Sequence, residues 1–261
     1  IIASIGAAGG ILASFGLISL IGITDPNSVK PMAPIMTLTM AAAFIPGYMQ
    51  RASCVFPVGV VMAIGSILGA LVGSTLSSHY LADMRVFRPV FGGLALLVAA
   101  QIFWRALRSP TNGIQAFSPQ GIQTTRLSWQ QLSFVYGEKI FRIPPGHPLL
   151  AGFFIAMIAA LFGVGGGFLL VPFMASFLGM PMYIVPATAA IPIFIGGSIS
   201  VTNYLRLGAE PDFPALGVLV VSGMLGALFG PHINGFAQEK WLQVVLAVII
   251  TLIGLKYVLG L

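Results

Sequence analysis

The sequence has very little with which to face water. Charged residues make up 7% of its 261 positions, six acidic and twelve basic. A soluble domain carries about 25%, so a water-facing surface cannot be built from this set. There is one cysteine, Cys54, which excludes an intrachain disulfide and a cysteine metal cluster. His79 and His232 are not at metal-ligand spacing, and no metal site is expected. No acidic residue falls inside an apolar run: Asp25, Asp83, Glu138, Glu210, Asp212 and Glu239 all lie in loops or at segment ends. The embedded carboxylate that proton-driven carriers often use is therefore missing, as is a counter-charge for a cation. No nucleophile–base pair converges, so neither an enzyme nor a cofactor is expected. The basic residues form no run. The net charge of +6 therefore suits loops facing anionic lipid and cytoplasm rather than nucleic acid.

What is present is hydrocarbon. Aliphatic and aromatic residues account for 57% of the chain, the composition of a polytopic, all-α integral membrane protein. Spanning segments need about 20 apolar residues. Candidates lie near 31–49, 56–78, 86–107, 184–205, 213–236 and 241–261, with ambiguous regions at 1–22 and 148–180. No signal peptide is read at Ile1, because no charged stretch precedes the apolar run. The region 148–180 would reach about 50 Å as one straight helix. That exceeds a core of about 30 Å, so a break is expected at its glycine cluster.

Glycine and proline repeat along the chain. Gly6, Gly9 and Gly10 recur as Gly163, Gly166 and Gly167, a shift of 157 residues. The same shift relates Gly22 to Gly179, Phe56-Pro57 to Phe213-Pro214, and Gly69, Ala70, Leu71 and Gly73 to Gly226, Ala227, Leu228 and Gly230. This predicts a duplication, with copies at 1–104 and 161–261 and about four hydrophobic segments in each. Parallel and inverted arrangements both remain open, and both occur in transporters. Three parts follow: a first membrane repeat at 1–104, an extramembrane loop at 105–147 and a second membrane repeat at 148–261. Arg105, Arg108, Arg126, Lys139 and Arg142 place the loop in the cytoplasm. Its Thr- and aromatic-rich run, with a turn at Gly137-Glu138, predicts a two-stranded hairpin.

The run GVGGGFLLVPF, 163–173, is the richest in chemistry. A broken helix is tolerated at membrane depth only inside protein or beside a wet cavity. A helix restarting at Phe168 would turn its free N–H groups and positive dipole end toward that cavity, a geometry suited to an anion. Backbone around Gly9, Gly10, Gly165, Gly166 and Gly167 is the expected binding surface, with Thr188, Ser198 and Asn203 adding donors. Pro186 and Pro192 predict a broken segment at 184–209, and Pro31 and Pro34 predict the same for its first-half counterpart. Lys30, Arg51 and Arg206 lie near span ends, where each could guide an anion inward. The ladder Gly65, Gly69, Gly73 and its counterpart Ser222, Gly226, Gly230 read as close helix packing.

Four stretches, GVGGGFLLVPF at 163–173, SIGAAGGILASF at 4–15, VPATAAI at 185–191 and NYLRLGA at 203–209, carry a resemblance to the sulfite exporter TauE/SafE family of membrane transporters. It covers nearly the whole chain. The first half departs from the glycine pattern, with Ala7-Ala8 where the second has Val164-Gly165. The resemblance implies export of a small sulfur-containing anion, such as sulfite or a sulfonate, from a bacterial inner membrane. The expected partners are that anion and the lipid bilayer, with no nucleic acid; a homo-oligomer is compatible with this class. The alternatives are an anion channel or a carrier of other organic anions.

Overall fold

The computed structural model describes residues 9–50, 54–108, 122–127, 132–136, 139–181, 184–234 and 239–259. Ten α-helices and one small sheet appear among them. In order these are α1 (Gly9–Phe15), α2 (Pro26–Val29), α3 (Met32–Gln50), α4 (Phe56–Tyr80), α5 (Met84–Arg108), β1 (Ile122–Leu127), β2 (Leu132–Tyr136), β3 (Lys139–Ile143), α6 (Gly146–Phe162), α7 (Gly167–Pro172), α8 (Val185–Arg206), α9 (Phe213–Asn234) and α10 (Glu239–Leu259). α1 and α7 each run on into one π-helical turn, Gly16–Leu20 and Phe173–Phe177. Such turns are rare and collect at functional sites.

Three of the helices are long and apolar enough to cross a membrane by themselves: Phe56–Tyr80, Met84–Trp104 and Val185–Arg206. Shorter apolar helices include Gly9–Leu20, Gly146–Phe162 and Gly167–Phe177. Large apolar side chains line their outer faces, among them Ile64 and Leu68 on α4, Leu97 on α5, and Val248 and Leu252 on α10. In water such faces would have to be covered; in a bilayer, hydrocarbon solvates them.

The long region 148–180 is divided as its length requires. α6 stops at Phe162, the chain turns through 163–166, and α7 begins at Gly167, one residue before the expected restart. Gly163 and Gly165 adopt φ of 63° and 76°, left-handed values that a Cβ disfavours. Of the prolines in the other two segments, Pro31 stands in the turn that separates α2 from α3, while Pro34, Pro186 and Pro192 lie within helices. α3 and α8 are continuous helices, which corrects the expectation of interruptions there. Pro186 falls in the first turn of α8, where its missing N–H has no helical partner to lose. Pro192 lies inside the helix and is accommodated without ending it.

The interior divides into two main apolar clusters. One joins α1, α5, the end of α6, α7 and α10 around Phe87, Phe91, Phe162, Phe168 and Tyr257. Phe91 lies 5.9 Å from Tyr257 and 6.3 Å from Phe162, ring centre to ring centre. The other lies under the sheet. Leu132, Phe134 and Tyr136, alternate residues of β2, pack with Val55, Val58, Met174, Met180 and Ile184. The sheet is a three-stranded antiparallel meander in the order β1-β2-β3, one strand more than the expected hairpin. Tyr136 pairs with Lys139 where β2 meets β3, and the expected turn at Gly137-Glu138 lies outside the described residues.

α4 packs chiefly against α6 and α8, and α5 against α10. At the α4–α6 seam the two backbones touch. A Cβ placed on Gly65, Gly69 or Gly73 would lie 2.1, 2.1 or 2.2 Å from the carbonyl oxygen of Leu149, Phe153 or Met157. Gly152 of α6 meets Met62 in the same way. A methyl at the corresponding α9 position, Gly226, would meet nothing within 4 Å. Gly69→Ala is therefore expected to destabilise the detergent-solubilised protein by about 1–3 kcal/mol. Gly226→Ala should be neutral, or stabilising by up to about 1 kcal/mol. Thermal unfolding of both variants checks this; equal effects would contradict the seam.

Candidate functional site

The break between α6 and α7 leaves two sets of backbone groups without helical partners: the last carbonyls of α6 and the first amides of α7. Three of the carbonyls are occupied. Ala159 O accepts from Val164 N at 3.1 Å, and Ala160 O accepts from Gly163 N at 3.2 Å. The buried Tyr204 hydroxyl of α8 also donates to Ala160 O. Ser77 Oγ of α4 donates to Leu161 O at 2.6 Å. The first amides of α7, by contrast, belong to a helix start with no acidic side chain and no side-chain cap.

A cavity of about 20 Å³ opens beside this helix start, room for about one water-sized group. Gly165 and Gly166 form part of its wall, facing Pro34 of α3 and Pro192, Gly196 and Ser200 of α8. Ser200 is 3% exposed, and its hydroxyl has no hydrogen-bond partner. The sequence reading did not select it. Ser200 is one of five Ser, Thr and Asn side chains on this helix, and only the packing reveals which one lacks a partner. Among the described residues no charged side chain lines the cavity.

Glycine positions differ in how they meet their surroundings. A methyl on Gly166 would make only ordinary contacts, the nearest Leu170 Cδ1 at 3.4 Å, and it would project where the cavity lies. A Cβ on Gly163 would fall 2.3 Å from Lys30 O, and one on Gly10 within 1.6 Å of Val164 O. The two glycine segments thus touch each other through Gly10 and Val164. Gly9 borders open space, and Gly167 begins α7 and is buried.

The expected side-chain donors are engaged elsewhere. Thr188 Oγ1 accepts from Val55 N at the start of α4 and donates to Ile184 O. Ser198 Oγ bonds back to Phe194 O. Asn203 Nδ2 donates to Ser74 Oγ at 2.7 Å and Thr75 Oγ1 at 3.0 Å, tying α8 to α4. Lys30 is fully buried. Its ammonium donates to Asn27 Oδ1, Ser77 O and Leu81 O at 3.1, 3.1 and 2.8 Å, and it lies 5.3 Å from the centre of the Phe87 ring. It therefore braces the C-terminal end of α4. Burial lowers its pKa to about 8, with Asp25 opposing. Arg206 is exposed in the last turn of α8, and Arg51 lies outside the described residues. Among the described residues no cluster of His, Cys, Asp or Glu could hold a metal.

Apolar outer faces, a helix broken in the interior and a small cavity at the break define a helical membrane protein of the transporter class. The chain belongs to the sulfite exporter TauE/SafE family, whose model matches residues 1–257. It is similar to the "Probable membrane transporter protein YunE" of Bacillus subtilis (strain 168), at 25% identity over 260 residues covering 97% of this chain and 91% of the relative. No solved structure matches it. Family and relative alike are membrane transporters by name, not enzymes.

The bonds from Asn203 to Ser74 and Thr75 generate a test. Interhelical hydrogen bonds within membranes contribute about 0.6 kcal/mol on average and up to about 1.7. Asn203→Ala should cost a loss in that range. In a Ser74→Ala background the cost should shrink, as a double-mutant cycle on thermal or denaturant unfolding would show. Full additivity would mean that the two side chains are not coupled.

Proposed function

We propose that the protein is a multi-pass carrier of the cell membrane, in a bacterial inner membrane, that exports a small sulfur-containing anion such as sulfite or an organosulfonate. The anion is held at the break between α6 and α7, against Gly165, Gly166 and the first amides of α7, with Ser200 as the side-chain contact. One observation carries this reading: the carbonyls of Ala159, Ala160 and Leu161 at the end of α6 are already hydrogen-bonded, whereas the helix start beside the cavity has no side-chain cap. Such a helix start suits an oxyanion. The family and the named relative support transport.

Movement by alternating access is the second element of the proposal. It rests on two homologous repeats related by the shift of 157 residues. The π-helical turns Gly16–Leu20 and Phe173–Phe177 stand at that shift. So do the starts of α4 and α9, at Phe56 and Phe213, and the left-handed Gly22 and Gly179. Contacts between α3 and α8 and between α5 and α10 pair each helix with its own counterpart, as a two-fold relation between the halves would. The small cavity supports a carrier, because a multi-atom anion enters only as the walls separate.

Gly166→Ala is the decisive variant, since a methyl there meets no backbone and narrows the cavity. A methyl that costs the bound anion about 1.4 kcal/mol or more should slow sulfite counterflow in proteoliposomes about tenfold or more, with the unfolding temperature little changed. Gly93→Ala on α5, where a Cβ would meet nothing within 4 Å, should transport normally. Wild-type flux through Gly166→Ala would overturn the site. Flux that trans-substrate does not accelerate would point to a channel.

A further inference from the structure

We propose that Ser200 determines which protonation state of the anion is carried, and that this state is the singly charged one. The inference rests on the anion site proposed above and concerns the chemistry inside it.

The observation that carries it is the unpaired hydroxyl. The serines and threonines around Ser200 use their hydroxyls on carbonyls: Ser198 on Phe194, Thr202 on Ser198, Thr188 on Ile184, and Ser66 on Ala63. Ser200 alone among them is buried and unpaired. Two other buried hydroxyls lack partners, on Ser14 and Tyr136, and neither lines the cavity. Buried polar groups nearly always have partners, so a lone hydroxyl on a cavity wall marks where a ligand supplies the missing one.

The walls set the charge that can enter. Pro34, Pro192, Gly196 and the glycine turn offer no cation. Removing an ion from water costs free energy that rises with the square of its charge, so a dianion loses about four times as much as a monoanion. Among the described residues no neighbouring element supplies a cationic side chain there. α3 and α7 contain no basic residue. On α8 the ionisable groups are Arg206, exposed at the far end, and Tyr204, bonded to Ala160 O. α6 carries His147 at its exposed start, and α4 carries His79 in its last turn, exposed as well. Cys54 precedes α4 beside Thr188. Lys30 meets the break through its backbone, while its ammonium is held by Asn27, Ser77 and Leu81. A protonated oxyanion also brings an O–H of its own. A serine hydroxyl accepts that proton's hydrogen bond and donates in turn, which an amide N–H or an ammonium cannot do.

The test is anion binding to the purified full chain across pH, read by calorimetry or ligand-induced thermal shift. The probes are sulfite, whose second ionisation falls near neutral pH, and methanesulfonate, which stays singly charged. Above that ionisation the apparent sulfite Kd should rise about tenfold per pH unit, as the competent fraction falls. The methanesulfonate Kd should stay flat, and any slope it shows reports protein groups such as Lys30, to be subtracted. Ser200→Ala should weaken sulfite binding about tenfold or more. Ser200→Cys, which keeps a small side chain but gives up most of the hydrogen bonding, should fall close to it. Sulfite binding that tightens as pH rises, or that survives both substitutions, would overturn this inference and leave the anion site standing. Binding of neither probe at any pH, by protein with a wild-type unfolding temperature, would remove the anion site itself.

Discussion

Everything near the centre of this protein follows from one constraint: a backbone that leaves its helix inside an apolar solvent must find new hydrogen-bond partners. Four residues, 163–166, separate α6 from α7. The freed carbonyls recruit partners from three directions: Val164 and Gly163 of the turn itself, Ser77 of α4 and Tyr204 of α8. α4 and α8 are thereby drawn to the break, and their approach encloses the cavity. The amides on the other side are the residue of this arrangement.

Ser77 shows how closely structure and site are joined. Its hydroxyl supports the end of α6, while its carbonyl receives Lys30. Lys30 in turn lies over Phe87 and against Gly163 through its backbone. A chain of contacts therefore runs from the short helix α2 to the glycine turn, with Asp25 capping α2 through Asn27 and Ser28 at its outer end. The basic residue nearest the break acts as a structural cation.

The helical spans and the break were legible because length and glycine are physical limits, not preferences. Residues 148–180 are too long for one crossing, and a run such as Gly163 to Gly167 marks where a chain can turn sharply. Proline was misleading for the opposite reason. Pro186 costs nothing in a first turn, and α8 continues past Pro192 without ending. Composition could not sort the hydroxyls and amide of α8. Asn203 and Ser200 stand one turn apart, yet the longer amide reaches Ser74 and Thr75 while the short hydroxyl reaches no partner. Which polar group is left over depends on what the neighbouring helix offers, and that is a tertiary fact. The third strand escaped notice because β1, IQTTRL, lacks the alternating apolar pattern seen in the buried residues of β2.

The seam between α4 and α6 has a mechanical consequence. α4 belongs to the first half of the sequence and α6 to the second, but their glycines interlock at backbone contact along several turns. Side chains slide past one another by changing rotamers; carbonyls lodged against bare α-carbons have no such give. A displacement of α6 would therefore carry α4 along with it, which couples the two halves of the sequence across the chain's midpoint.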